Sequence, residues 1–263
     1  MFHLLKPKTI NEKKVRVGPY SERDNEHSDG GYVCSQMMID KCSCLFTFGV
    51  GGETRYEFDF AKRFKKPVYM FDPFVDRPAK EDPEIYFYKV GLGLAGTNVN
   101  NIPAKEVVQL YKELGIKGDV LLKIDTEGSE YDYFAKTDIA EIAKYCTGII
   151  LEIHWLDGPE WRQKAEVIIN RLNEYFVLTH VHGNNWGEVF KYEQKIHDSK
   201  SVIYTIPRVW EVTFENKRFV NYIAPDTQNY PIEKLDCRNR ANPGDKDLDL
   251  SFLHDFKEPQ QST

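Results

Sequence analysis

The chain has 263 residues, 41% of them hydrophobic, and a net charge of −6. This is enough for one large α/β domain with a full core, or a core domain with additions. The acidic balance gives no electrostatic reason to expect a nucleic-acid partner, and no apolar stretch approaches the roughly 20 residues that span a bilayer. Met1-Phe2-His3-Leu4-Leu5-Lys6 is too brief for a signal peptide and lacks a small-residue cleavage site. A cytoplasmic protein without membrane insertion is therefore expected, and a homo-oligomer is compatible with the sequence. Five cysteines in a chain of this size do not suggest a disulfide framework. Cys42 and Cys44 form a CxC that no second cysteine pair answers, so they read as buried reduced thiols.

Residues 1–40 show little regular periodicity and form an N-terminal flap or lid segment. Within it, Asn25 to Val33 reads as a turn leading into a short strand. That turn is either a plain connection or the part of the flap that brings Tyr32 near a ligand. From Cys44 strand and helix alternate. Strand one ends at Phe48 and is followed by a helix over Thr54 to Phe64, then strands over Val68–Phe71 and Ile85–Val90. A Gly/Asn-rich loop, Leu94 to Pro103, precedes a helix from Ala104 to Leu114 that Gly115 ends. Strand four is Asp119–Ile124, a short helix spans Tyr131 to Ala143, and strand five is Gly148–Ile153. Helix Glu160–Tyr175 carries an apolar stripe of Val167, Ile168, Leu172 and Phe176. Val177–His182 is a sixth strand, and Ser201–Ile206 and Val209–Phe214 are two more.

Near-continuous apolar strands separated by helices specify a mostly parallel sheet covered on both faces. Val209–Phe214 has no helix before it and is expected to run antiparallel. The fold class is thus α/β with a Rossmann-like sheet, its catalytic domain over 41–220. Residues 221–263 are an irregular tail packing on that domain.

The sequence centres on Phe48-Gly49-Val50-Gly51-Gly52-Glu53-Thr54, where an apolar strand enters a glycine turn and then a helix. Glycine serves where the backbone must bend sharply and let a ligand come close, although a bare strand-turn-helix can also be only structural. Asp72 ends the next strand, about 20 residues beyond the glycines, the spacing at which an acid reaches ribose hydroxyls. A dinucleotide site would want glycine or alanine where Thr54 stands and a helix N-terminus free for pyrophosphate. Glu53 would repel that pyrophosphate but attract the ammonium and sulfonium of S-adenosylmethionine (SAM).

Three further strand ends deliver polar groups: Asp125-Thr126-Glu127-Gly128-Ser129-Glu130, then Glu152 and His154, then His180 and His182. Charged groups following buried strands are expected to be paired or to hold something. Asp125, Glu152 and His182 are the candidate metal set, and two carboxylates with an imidazole suit Mg²⁺ or Mn²⁺. Each also has a structural reading: Asp125 as a helix cap, Glu152 paired with a core cation, His182 as a hydrogen-bonded core histidine. His154 and His180 read more readily as supporting residues. Lys123 is a buried amine unless it pairs with one of these acids.

Phe48 to Glu53, Phe71-Asp72-Pro73, Leu122 to Glu130 and Leu151-Glu152-Ile153-His154 resemble the motifs of FkbM-type SAM-dependent methyltransferases. Asp29-Gly30-Gly31-Tyr32 and His182-Gly183-Asn184-Asn185 are similar to further blocks in that group. The resemblance implies a class I methyltransferase fold and O-methylation of a sugar or other hydroxylated small molecule, nucleotide-activated or in a glycan. Bacterial polysaccharide (capsule) assembly is the implied setting, and some sugar methyltransferases use a divalent ion. Past Phe219 no motif is similar.

On this reading Asp72 holds the ribose, Gly49, Val50, Gly51, Gly52 and Glu53 hold the amino-acid end of SAM, and Gly91 and Leu92 edge the adenine. Asp125 and the divalent ion lower the pKa of the acceptor hydroxyl, and His154 or His182 takes its proton. Two other classes stay open: a SAM-binding scaffold without catalysis, and an NAD-dependent oxidoreductase, against which Glu53 and Thr54 speak.

Overall fold

The computed structural model describes residues 1–21, 28–77, 82–195, 201–240 and 250–254. Seven strands make the central sheet: β1 (Cys42–Phe48), β2 (Val68–Phe71), β3 (Ile85–Tyr88), β4 (Asp119–Ile124), β5 (Cys146–Ile153), β6 (Phe176–Lys195) and β7 (Ser201–Asn216). Their order is β3-β2-β1-β4-β5-β7-β6. Strands β1 to β5 pair in parallel, and β7 is antiparallel to both of its neighbours, as its missing crossover helix required.

Among the described residues six α-helices cover the sheet: α1 (Gln36–Lys41), α2 (Arg55–Phe64), α3 (Val107–Glu113), α4 (Ser129–Lys136), α5 (Ile139–Ala143) and α6 (Pro159–Tyr175). Because side chains alternate along a strand, β4 serves two cores. Val120, Leu122 and Ile124 join a cluster with residues of α3 to α6. Leu121 faces the other way, into a cluster with α1, α2, Val17 and Tyr32. Lys123 follows Leu121 on that second face, and its register partner is Thr47 of β1.

That second face turns polar across the outer strands. His180, His182, Glu211, Thr213 and Glu215 are all buried there, which requires partners from outside the sheet. The chain ends supply them. Lys14–Val17 pairs antiparallel with Tyr32–Ser35, and the Thr213 hydroxyl donates to the Val33 carbonyl at 2.5 Å. From the C-terminal segment, Asp236 meets His180 Nε2 at 2.8 Å and the Asn239 amide donates to Glu211 at 2.5 Å. All five cysteines are buried free thiols. No helix among the described residues is long and apolar enough to cross a membrane.

Several elements differ from expectation. The region expected as one helix over Tyr131–Ala143 is two, because Thr137 ends α4 and Asp138 caps α5 by accepting from the Glu141 amide. Ala104 belongs to a short strand, Ile102–Lys105, so α3 starts at Val107. In α6, Ile168 and Leu172 are buried whereas Val167 is exposed, which narrows the apolar stripe. The two late strands are one, β7, and β6 runs on through Gly183-Asn184-Asn185, which is absorbed as an irregularity between Asn184 and Val189. Of the turn expected over Asn25–Val33, residues 25–27 lie outside the described residues. Tyr32 and Val33 are in the strand expected of them.

Glu215 offers a test of the polar face. Ser35 and Thr179 donate to it at 2.7 and 3.0 Å, yet burial raises its pKa from 4.5 to about 7 against those bonds. The folded protein therefore holds this proton more tightly than the unfolded chain. The group's contribution to stability is complete below 4.5 and is lost as pH rises through about 7. Urea unfolding should show Glu215→Gln gaining on wild type as pH rises from about 5 to 8; an unaltered pH slope would contradict this assignment.

Candidate active site

The chain turns outward in opposite directions from β1 and β4, so their carboxyl ends open a crevice. The Asp125 amide donates to the Phe48 carbonyl at 3.0 Å. Gly49 follows with φ +75°, and a Cβ there would lie 1.6 Å from the Asp125 carbonyl oxygen. Glycine at this position is a consequence of two strand ends touching. Gly51 and Gly52 have nothing within 4 Å of a built Cβ, so their missing side chains leave open space for a ligand.

Asp72 ends β2 and is buried. Its Oδ2 accepts from the amides of Val50 and Gly51 at 2.9 and 3.0 Å. Its Oδ1 accepts from those of Phe74 and Val75 at 2.7 and 3.2 Å. The carboxylate thus shapes the glycine turn as well as lining the space beside it. That space, a cavity of about 310 Å³, is bounded by Gly49 to Glu53, Phe71 to Phe74, Leu92, Val99, Asp125 to Glu127 and Ser129. Gly91 stands behind it, where a Cβ would meet the Val99 side chain at 2.9 Å.

A second cavity, of about 330 Å³, adjoins the first. Gly49, Val50, Glu53, Asp125 and Glu127 line both cavities. The second is otherwise lined by Asp29, Tyr32, Tyr56, Glu57, Lys123, Glu152, His154, Trp155, Asn184, Trp186 and Arg208, with three glycine and valine positions. The two spaces share one wall, and Asp125 stands in it.

The polar groups of the second cavity hold one another. The Tyr32 hydroxyl donates to Glu152 at 2.9 Å and lies 3.4 Å from Asp125. Asn184 donates to Glu152 and Glu211 at 2.9 and 3.2 Å. Burial and the Asp125 charge push the Glu152 pKa well up, the His154 charge opposing them. His154 Nε2 lies 3.6 Å from Asp125, 3.5 Å from Glu127 and 3.8 Å from Glu152, while Nδ1 faces Glu130 at 3.4 Å. Burial alone would depress this imidazole, but the Glu130 hydrogen bond and the charges of Glu152 and Asp125 hold it at about 10. Glu127 and Trp155 flank the cluster with φ of +50° and +57°, a backbone conformation uncommon for such residues and concentrated at functional sites.

The expected metal set is regrouped. His182 lines neither cavity; its Nδ1 meets Glu211 at 3.0 Å, and Nε2 is buried without a hydrogen-bond partner. The reason is strand order: β7 lies between β5 and β6, so His182 faces Glu211 of β7 and stands two strands out from Glu152. The three residues among those described whose donor atoms lie within 4.8 Å of one another are Asp125, Glu127 and His154. That set fits a hard divalent cation: two carboxylates, one imidazole, and a second ring nitrogen held by Glu130 in the manner of a metal-bound histidine. Glu53 does not stand as a free acid, because Arg55 pairs with it at 2.6 Å. Lys123 pairs with Glu57 of α2 at 3.5 Å, not with a strand-end acid. Glu57 and Asn184 are the residues that sequence reasoning passed over as site groups. Thr54-Arg55-Tyr56-Glu57 has the form of a capping box, which disguises Glu57 as a cap, yet Thr54 makes no side-chain cap bond.

A sheet of this order, with a glycine turn and an acid on adjacent strand ends, is a Rossmann-like nucleoside-binding fold. A family model described as the methyltransferase FkbM domain matches residues 35–175, more than half of the chain. The chain belongs to the FkbM methyltransferase family, and its methyl donor is SAM. No curated protein matches the sequence significantly. Among solved structures, a precorrin-6y C5,15-methyltransferase from Geobacter metallireducens is similar at 10% identity and a TM-score of 0.33, over 68% of this chain and 85% of that one. A "putative RNA methyltransferase" from Pyrococcus horikoshii is similar at 13% identity and a TM-score of 0.31, over 67% and 76%.

The glycines make a paired prediction. Gly49→Ala should lower the melting temperature and abolish SAM binding, because its Cβ cannot coexist with the Asp125 carbonyl. Gly52→Ala should leave stability within about 1 kcal/mol while weakening SAM in calorimetry. Equal stability of the two variants would contradict the contact.

Proposed function

We propose that the protein is a SAM-dependent O-methyltransferase that methylates a hydroxyl of a sugar. The reading is carried by two cavities that share the Asp125 wall. The first has the lining that suits SAM: an open glycine turn, an acid on the next strand end, and the apolar Leu92 and Val99 for an adenine edge. The second is lined by hydrogen-bonding side chains together with Trp155 and Trp186, a mixture that suits a polyhydroxylated ring.

In the reaction the acceptor oxygen attacks the methyl carbon in line, the carbon–sulfur bond breaks, and the sulfur leaves as the neutral thioether. The hydroxyl proton goes to Asp125. Without a metal, the acids around His154 favour its protonated form, so in this reading Asp125 serves as the base and His154 offsets the surrounding negative charge. Tyr32 and Asn184 fix Glu152 beside them. A Mg²⁺ or Mn²⁺ on Asp125, Glu127 and His154 would lower the pKa of a hydroxyl bound to it. Six acids line the second cavity against Lys123, Arg208 and His154, which favours a sugar in a glycan over one carrying a pyrophosphate. Assembly of a bacterial polysaccharide such as a capsule, in the cytoplasm, is the setting this implies.

The test is a screen of free glycans and sugar nucleotides with SAM, scored as a mass gain of one methyl group. Asp125→Ala should lower kcat at least about 100-fold, with SAM affinity changed far less. Dialysis against a chelator should reduce turnover and Mn²⁺ or Mg²⁺ should restore it. Full activity after chelation would remove the metal from the account, and full activity of Asp125→Ala would overturn the assignment of the shared wall.

A further inference from the structure

At the inner end of the second cavity lies an ion pair that the transfer of the methyl group does not use. Glu57, in the first turn of α2, is fully buried and lines the cavity. Its Oε1 accepts from the Thr47 hydroxyl at 2.8 Å and faces Lys123 Nζ at 3.5 Å. Its Oε2 is buried with no hydrogen-bond partner. A carboxylate oxygen left bare in a protein interior is costly, and at a cavity wall a donor from a water or a ligand can answer it.

Lys123 is equally placed for a ligand. It is 4% exposed, it lines the same cavity, and its three donors have one carboxylate partner among the described residues. The ammonium otherwise stands 5.0 Å from the Tyr32 ring centroid and 5.8 Å from that of Tyr56. Tyr32 gives the scale. Its ring is against Lys123, while its hydroxyl reaches Glu152 and lies beside Asp125. The Glu57–Lys123 pair and the acids at the shared wall are therefore one tyrosine side chain apart, about the span of a single sugar ring.

We propose that Glu57 and Lys123 read a second hydroxyl of the acceptor, which donates to Glu57 Oε2 and accepts from Lys123 while a hydroxyl on the opposite side of the ring is methylated. This rests on the O-methyltransferase reading and adds to it a requirement: the substrate is a diol, held at both ends. One carboxylate and one ammonium side by side match the paired donor and acceptor character of a hydroxyl, and an acceptor with only one hydroxyl leaves Glu57 Oε2 without a donor. Sites built in this way reject the analogue that lacks the group.

The experiment compares a methylated hexoside with its monodeoxy analogues, using wild type, Glu57→Gln, Lys123→Met and the double variant Glu57→Gln/Lys123→Met. Glutamine keeps an oxygen for Thr47 and replaces the bare acceptor with a donor. The expected result is a KM for the parent hexoside raised roughly 10- to 100-fold in Glu57→Gln, with kcat changed much less. One monodeoxy analogue should show the same raised KM in wild type and no further loss in the variant. Adding Lys123→Met should then cost less than it would alone. SAM affinity by calorimetry, equal in all forms, establishes that the variants are folded. The proposal is overturned if Glu57→Gln and wild type share KM values for every hexoside, or if the loss is the same for all analogues. Should wild type methylate none of them, the O-methyltransferase reading fails separately. Saturation-transfer NMR of the same hexosides then decides the pair: weaker binding to Glu57→Gln supports it and equal binding refutes it.

Discussion

Everything at this site follows from how closely the ends of β1 and β4 approach. The Asp125 amide is tied to Phe48, and the Asp125 carbonyl occupies the volume that a side chain at residue 49 would need. That contact forces glycine into the turn and fixes the direction in which the Asp125 side chain leaves the sheet. It also divides the crevice in two. Gly49, Val50, Glu53, Asp125 and Glu127 border both cavities, so two ligands occupying them would meet beside Asp125.

Around this wall the molecule gathers more negative charge than a protein interior tolerates unaided. It balances that charge in different ways on the two sides. At the glycine turn Asp72 is satisfied by four backbone amides, and Glu53 by Arg55. In the second cavity His154 stands among Asp125, Glu127, Glu130 and Glu152, a single imidazole amid four carboxylates. The same reasoning explains why the chain ends fold over β6 and β7. Asp29 is held by Asn239 at 3.2 Å, and burial with the Glu211 charge raises its pKa to about 6. On the neighbouring strand, the His180 charge and hydrogen bond overcome burial and keep Asp236 at about 2.

Much of this was legible in the residues. Apolar runs located both ends of β2 and β4 and the end of β1 at Phe48, because fully buried parallel strands leave little room for polar interruption. The antiparallel β7 was legible from what it lacked, a preceding helix. The glycine turn, Asp72, Asp125, Glu152 and His154 all stand at strand ends facing the crevice. What sequence could not carry was register and lateral position. His182 lies one strand too far out, a fact set by the β7 insertion between β5 and β6. Glu127 enters the cluster through a left-handed backbone at a turn. Glu57 was hidden by a motif with an ordinary local explanation, and Lys123 found its partner on a helix and not on a strand. Long-range pairing, not local preference, made these assignments.

The most direct examination of the account is a crystal structure with S-adenosylhomocysteine. The nucleoside should lie between the glycine turn, Asp72 and Leu92, with the thioether sulfur turned toward Asp125 and the cavity of Glu152 and His154 left open beyond it. A ligand seated instead among Tyr32, Lys123 and Trp155, or one whose sulfur faces away from Asp125, would contradict the shared wall on which the whole mechanism is built.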